Sequence, residues 1–230
     1  MKTADEIIDF FKGLSFEERE HLYKVNGVPI KNSVSGKIKQ YYKPFNREVI
    51  SYHSAKKNGV SQEELLKDWD NKRDISIIKG NKAHLFGELY PFNRNLRPQS
   101  KFDVAIMKFW NDLPEHVIPI VMEARMYHKE DLYAGTADGT LYNTITGKYI
   151  LIDYKTNIDI FKNYKGQTML APFEHLLDSP FNKYQIQLSY YQILIEQITG
   201  IEISSRKLVW LRPTGEYELY DTENFTHLIN

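Results

Sequence analysis

Three residues in one 23-residue stretch have the types and spacing to do chemistry. "GTADGTLYNTITGKYILIDYKTN" runs from Gly135 to Asn157 and carries Asp138, Asp153 and Lys155. The stretch reads as two strands joined by a turn near "NTITG". A turn centred between Ile145 and Thr146 sets Asp138 opposite Asp153. Side chains alternate along a strand, so Asp153 and Lys155 share one face with Asp138, while Ile150, Ile152 and Tyr154 point the other way and pack. Two carboxylates directly opposite one another repel. The arrangement becomes favourable when a divalent cation such as Mg²⁺ sits between them, because that ion prefers carboxylate oxygens, retained water and phosphate. Lys155 beside such an ion is suited to orienting an attacking water and stabilising charge on a phosphate oxygen. Phosphodiester hydrolysis is the chemistry these residue types support. The plain alternative is a turn aspartate at position 138 and a surface ion pair between Asp153 and Lys155.

The elements that must position these residues follow from pattern and caps. Residues 1–20, "MKTADEIIDFFKGLSFEERE", read as an amphipathic helix with Ile7, Ile8, Phe10 and Phe11 inward. Asn26-Gly27 marks a hairpin turn. Ser33 or Ser35 caps a helix through "GKIKQYY", which Pro44 ends. Ser61 and Glu64 form a capping box ahead of Leu65, Leu66 and Trp69. A second helical stretch carries Ala83, His84 and Glu88. Residues 117–125 are β-like. Ser179 and Pro180 start a helix that Gly200 ends, with Tyr184, Leu188, Tyr191, Ile195 and Ile198 on one stripe. "SSRKLVWLRP" and "GEYELYDT" read as two further strands. The order predicts an α/β (α+β) chain with a central mixed sheet flanked by helices. It is expected to be a single domain, with a core at about 80–215 and helical and hairpin additions over 1–79.

Composition narrows the chemistry. The chain has 230 residues, 16 Tyr, 12 Phe and no cysteine. Cysteine nucleophiles, disulfides and cysteine-ligated clusters are therefore excluded. No apolar run approaches the roughly 20 residues needed to span a membrane, and residues 1–20 lack the pattern of a secretory signal. A reducing cytoplasm is the expected compartment. Net charge is zero, but between Lys31 and Lys57 the cations Lys31, Lys37, Lys39, Lys43, Arg47, Lys56 and Lys57 face only Glu48. Such a run is either a phosphate-binding patch or a solvated face.

Four local motifs occur in order: "KGNKAH" ending at His84, "GTADG" as G-x-x-D, "LIDYKTN" as D-x-K and "QLSYY" as Q-x-x-x-Y. Together they resemble the PD-(D/E)xK nuclease superfamily, in its RecB-type and phage exonuclease branch, over roughly residues 33–200. The resemblance implies a restriction-endonuclease-like core. It also implies Asp138 and Asp153 as metal ligands, His84 as a ring-nitrogen ligand and Lys155 as the catalytic lysine. Gln187 and Tyr191 would position DNA or that lysine, Tyr191 also fitting the core. Glu123 would add a carboxylate or contact the lysine. Glu88, one helical turn after His84, either faces the same site or is a solvated glutamate. The implied cofactor is Mg²⁺ or Mn²⁺, as one or two ions, without the iron–sulfur cluster of the cysteine-bearing relatives. The implied activity is a hydrolase acting on DNA, most simply an exonuclease on linear duplex ends in phage recombination or repair. An endonuclease of the same fold and a non-catalytic nucleic-acid-binding module are the alternatives. Lys37, Lys39, Tyr41, Arg47, Lys162 and Lys165 are the candidate DNA contacts, with Tyr42 and Phe45 interleaved and Lys183 adding a phosphate contact. Implied companions are a single-strand annealing or single-strand-binding protein and further copies of the chain in a ring. The setting would be a bacterial or phage-infected cell.

Overall fold

The structure is a computed structural model that describes residues 1–17, 20 and 22–229. Its elements in chain order are α1 (Ala4–Asp9), β1 (Leu14–Glu17), β2 (Leu22–Val25), β3 (Val28–Pro29), β4 (Asn32–Ser33), α2 (Val34–Ile38), α3 (Arg47–Asn58), α4 (Gln62–Leu89), α5 (Lys101–Asp112), β5 (Val117–Tyr127), β6 (Tyr133–Asn143), β7 (Lys148–Lys155), α6 (Pro180–Thr199), β8 (Ile203–Leu211) and β9 (Tyr217–Asp221). The caps lie where the side chains place them. Ser33 accepts the Gly36 N–H, Ser61 and Glu64 form a reciprocal box, Ser179 opens α6, and Gly200 closes it in the left-handed region at φ 69°. Asn26 and Gly27 both take positive φ, as a two-residue hairpin turn demands.

Three expectations are corrected. The helix expected over the N-terminal stretch covers only Ala4–Asp9, because Gly13 at φ 89° turns the chain and Leu14–Glu17 pairs with β2 as a strand. Ile8 points to solvent, because a helix of six residues buries only one stripe and Ile7 occupies it, with Phe11 buried just beyond the helix. The two helical stretches expected within residues 61–90 are one continuous helix of 28 residues, about 42 Å long. Gly80 does not break it. Its open Cα faces Thr156 just past the end of β7, where the helix runs close to the sheet.

The six-stranded sheet is mixed. β5, β6 and β7 form an antiparallel meander, β7 and β8 are parallel and joined by α6, and β9 is antiparallel on the edge. One face packs Tyr149 and Leu151 of β7 against Leu188, Tyr191, Leu194 and Ile195 of α6. The other packs Ile152 and Tyr154 against Ala83 of α4 and Ile106, Phe109 and Trp110 of α5. The alternation expected for β7 is thus observed. No described helix is long and apolar enough to cross a membrane.

A close approach fixes α4 on the sheet. A Cβ on Gly87 would lie 2.6 Å from Tyr154 Cε2. The Tyr154 ring has no room to yield, being 1 % exposed and bonded through its hydroxyl to Trp110 Nε1 at 2.8 Å. Gly87→Ala is therefore expected to lower stability by about 1–3 kcal/mol, read by urea unfolding.

Candidate metal and catalytic site

The β6–β7 ladder ends at Gly139–Ile152, one step short of Asp138 and Asp153. At the start of β6 the same edge pairs instead with the short strand β4, at Tyr133 and Ala134. Between these ladders the edge opens, and the Asp138 side chain fills the break. Its Oδ2 accepts the Tyr154 N–H at 2.6 Å, and its Oδ1 lies 2.9 Å from His84 Nδ1. On the other edge, β5 continues the register so that Glu123 stands opposite Asp138. Glu123 adopts φ 51°, a left-handed conformation that an L residue holds only where its surroundings impose it.

His84, Glu123 and Asp138 each offer a ligand atom, and these three atoms lie within 4.8 Å of one another. One imidazole nitrogen and two carboxylates form a donor set that could hold a metal ion. Asp153 stands beside the triad. Its Oδ2 is buried and accepts no aligned hydrogen bond; the Lys155 ammonium touches it at 2.5 Å. Glu88 lies next to Glu123 in a cavity of about 300 Å³ bounded by Ile7, Phe11 and Arg125. It is outside the ligand triad, although its charge reaches Glu123.

The electrostatics are those of charges crowded away from water. Burial, reinforced by the Asp138 charge, pushes the Glu123 carboxyl up to about 7. Burial lifts Asp153 to about 6 against the pull of Lys155, with Asp138 adding to the rise. For Asp138 burial acts upward as well, but the His84 and Lys155 charges and the Tyr154 N–H outweigh it and hold this carboxyl below its usual value. Burial would lower Lys155, yet the Asp153 and Asp138 carboxylates raise it, so it stays an ammonium. His84 is raised in the same way, its burial being overcome by Asp138.

These shifts set a pH dependence. Glu123 and Asp153 hold protons in the folded chain at pH values where the unfolded chain has released them. Stability of the metal-free protein is therefore lost as pH rises from about 4 to 7. The raised His84 contributes in the same direction over the top of that window. The lowered Asp138 acts oppositely, but only below about pH 4. A metal ion held by this cluster would have to displace these protons, so its binding would strengthen as pH rises. Thermal melts should show a metal-free midpoint that falls between about pH 5 and 7.5 and a Mn²⁺-induced increase that grows over the same interval.

The remaining sequence-derived residues divide. Gln187 Nε2 donates to the Tyr191 hydroxyl at 2.9 Å, and Tyr191 is buried against Gly135, so the pair belongs to the α6 packing face behind the site. Tyr41 is corrected as a DNA contact. It is 8 % exposed, packs against Phe173 and shares a 2.8 Å hydroxyl contact with Tyr190. Arg47 stays exposed and is ion-paired to Asp70 at 2.7 Å across α3 and α4. Lys37 lies over the Tyr133 ring, and Lys183 pairs with Asp178. Lys39, Lys162 and Lys165 are exposed. The Leu170 N–H donates to the Tyr41 carbonyl at 2.7 Å, tying the segment that bears Lys39 to the loop that bears Lys162 and Lys165.

Tyr184 is the site-lining residue that the sequence reading left on the packing stripe. Its ring centroid lies 4.5 Å from Lys155 Nζ. Its place three residues before Gln187 and seven before Tyr191, on the same helix face, is the signal that was present. No protein-family model matches the chain, and a search of curated proteins found no match.

Proposed function

We propose that the protein is a metal-dependent deoxyribonuclease of the PD-(D/E)xK type, hydrolysing phosphodiester bonds at the ends of linear duplex DNA. The observation that carries this reading is the meeting of His84, Glu123 and Asp138 within 4.8 Å of one another, beside a buried Asp153–Lys155 pair. A packing role gives no reason to crowd three carboxylates and an ammonium at the break between two strands. A divalent ion held by the triad would supply Lewis-acid polarisation of the phosphate and a water of lowered pKa. Asp138 holds its ligand geometry because its second oxygen is fixed on the Tyr154 N–H. Lys155 brings a permanent positive charge to the phosphate and a donor that orients the attacking water. Lys39, Lys162 and Lys165 supply exposed charge for the DNA backbone.

Action on ends rather than within a strand is supported by the N-terminal segment. α1 lines the cavity beside Glu123, and the buried Tyr23 of β2 is 2.9 Å from Thr136 of β6 through the two hydroxyl oxygens. These contacts cover the Glu123 side of the site and limit passage of a strand on that flank.

The test is incubation with end-labelled linear duplex, linear single strands and a covalently closed circle, in Mg²⁺ or Mn²⁺ and with an EDTA control. Degraded linear DNA beside an intact circle is the expected result. Cutting of the circle would make the enzyme an endonuclease. No cleavage with either metal would remove the nuclease reading.

A further inference from the structure

Lysine is a poor instrument for precise work. Its ammonium rides on a flexible four-carbon stem, and it acts well on a phosphate only when its direction is fixed beforehand. Lys155 ends β7, where the strand gives way to a loop, so the backbone alone does not fix that direction.

Around its tip the fold supplies two walls. On one side is Asp153 Oδ2 at 2.5 Å. On the other is the Tyr184 ring, its centroid 4.5 Å from Nζ, within the range of a cation–π contact. The ring is itself held. Its hydroxyl donates to Asn157 Oδ1 at 2.7 Å, and the Asn157 carbonyl accepts Trp210 Nε1 at 2.7 Å. Trp210 is the residue of β8 that pairs with Lys155 in the parallel ladder. The loop leaving β7 is thus fastened to the neighbouring strand two residues after the lysine, and the fastening carries the ring that covers it. Gln187 and Tyr191, which the resemblance assigns to positioning, bond to each other on the same helix.

We propose that Tyr184 is the positioning residue of Lys155, its ring and the Asp153 carboxylate holding the ammonium between them and fixing the direction in which it meets the phosphate. This rests on the nuclease reading for its consequence, though not for its geometry. Tyr184→Leu removes the ring, whereas Tyr184→Phe removes only the hydroxyl bond to Asn157.

Two measurements on the full chain test it. In protein labelled with ¹³C and ¹⁵N in lysine, the ε-methylene of Lys155, assigned by its loss in Lys155→Arg, is expected upfield from the ring current of Tyr184. The displacement should vanish in Tyr184→Leu and persist in Tyr184→Phe. In steady-state cleavage of linear duplex with Mn²⁺, Tyr184→Leu should lower kcat about tenfold, with KM for DNA and the Mn²⁺-induced rise in thermal midpoint unchanged, and Tyr184→Phe should restore most of kcat. The proposal is overturned if Tyr184→Leu leaves the Lys155 resonance in place, if it leaves kcat unchanged, or if Tyr184→Phe is as damaging as Tyr184→Leu. A wild-type protein that cuts nothing removes the nuclease reading, and the resonance comparison then decides the positioning by itself.

Discussion

Asp138→Asn is expected to leave a folded protein that gains no thermal stability from Mn²⁺ and cleaves DNA at least about 10²–10³-fold more slowly. Asp138 is the residue on which the site converges. One of its oxygens faces His84 Nδ1 at 2.9 Å and the other takes the Tyr154 N–H at 2.6 Å, while Glu123 and Asp153 flank it on the adjacent strands. The amide of asparagine keeps an oxygen for the Tyr154 N–H, so the break between β6 and β7 stays closed in the same way. What it loses is charge, and with it the attraction that offsets the desolvation of a bound cation. Removing that charge also relieves Glu123, whose carboxyl is lifted partly by Asp138. The metal-free midpoint should therefore change by no more than a few degrees. Calorimetric titration with Mn²⁺ and cleavage of linear duplex measure both effects. A variant that binds metal as the wild type does would show that Asp138 is a packing residue.

Lys155→Met should lose cleavage to a similar degree while keeping the Mn²⁺-induced rise in thermal midpoint, because the lysine lies outside the ligand triad. Its structural cost is separate and pH-dependent. Asp153 and Lys155 are nearly buried, with side-chain exposures of 3 % and 14 %. Removing one partner of such a pair costs about 3–5 kcal/mol when the other must stay charged. Asp153 escapes part of that cost by taking up a proton, and with Lys155 present it already does so at about pH 6. Without the ammonium its affinity for the proton rises further. Destabilisation measured by urea unfolding should thus be larger at about pH 8 than at about pH 6, the sign expected when the unfolded state releases a proton that the folded state retains. Equal destabilisation at the two pH values would mean that Asp153 does not feel the lysine.

Much of the site was legible because strand periodicity and turn position are geometric. The turn near Ile145 and Thr146 fixes the register by counting, and the observed pair Gly139–Ile152 is one step from the expected facing of Asp138 and Asp153. Caps at Ser61, Ser179 and Gly200 were readable because each satisfies backbone groups locally. Long-range packing was not readable. Tyr41 sits in a basic, exposed-looking run, yet its ring is claimed by Phe173 and Tyr190, more than a hundred residues away. α5 went unread although Ser100 and Asp103 form a capping box ahead of Ile106, Phe109 and Trp110. The positive φ of Glu123 has no sequence signature, because glutamate has no preference for that region.

The most direct measurement is an anomalous diffraction map from crystals of the protein soaked in Mn²⁺. The account predicts a peak bound by a His84 ring nitrogen and by carboxylate oxygens of Glu123 and Asp138, at about 2.0–2.3 Å from each. Data from Asp138→Asn crystals under the same soak should lack it. A map with no peak at the triad, or with manganese bound elsewhere and the triad still closed on itself, would contradict the account.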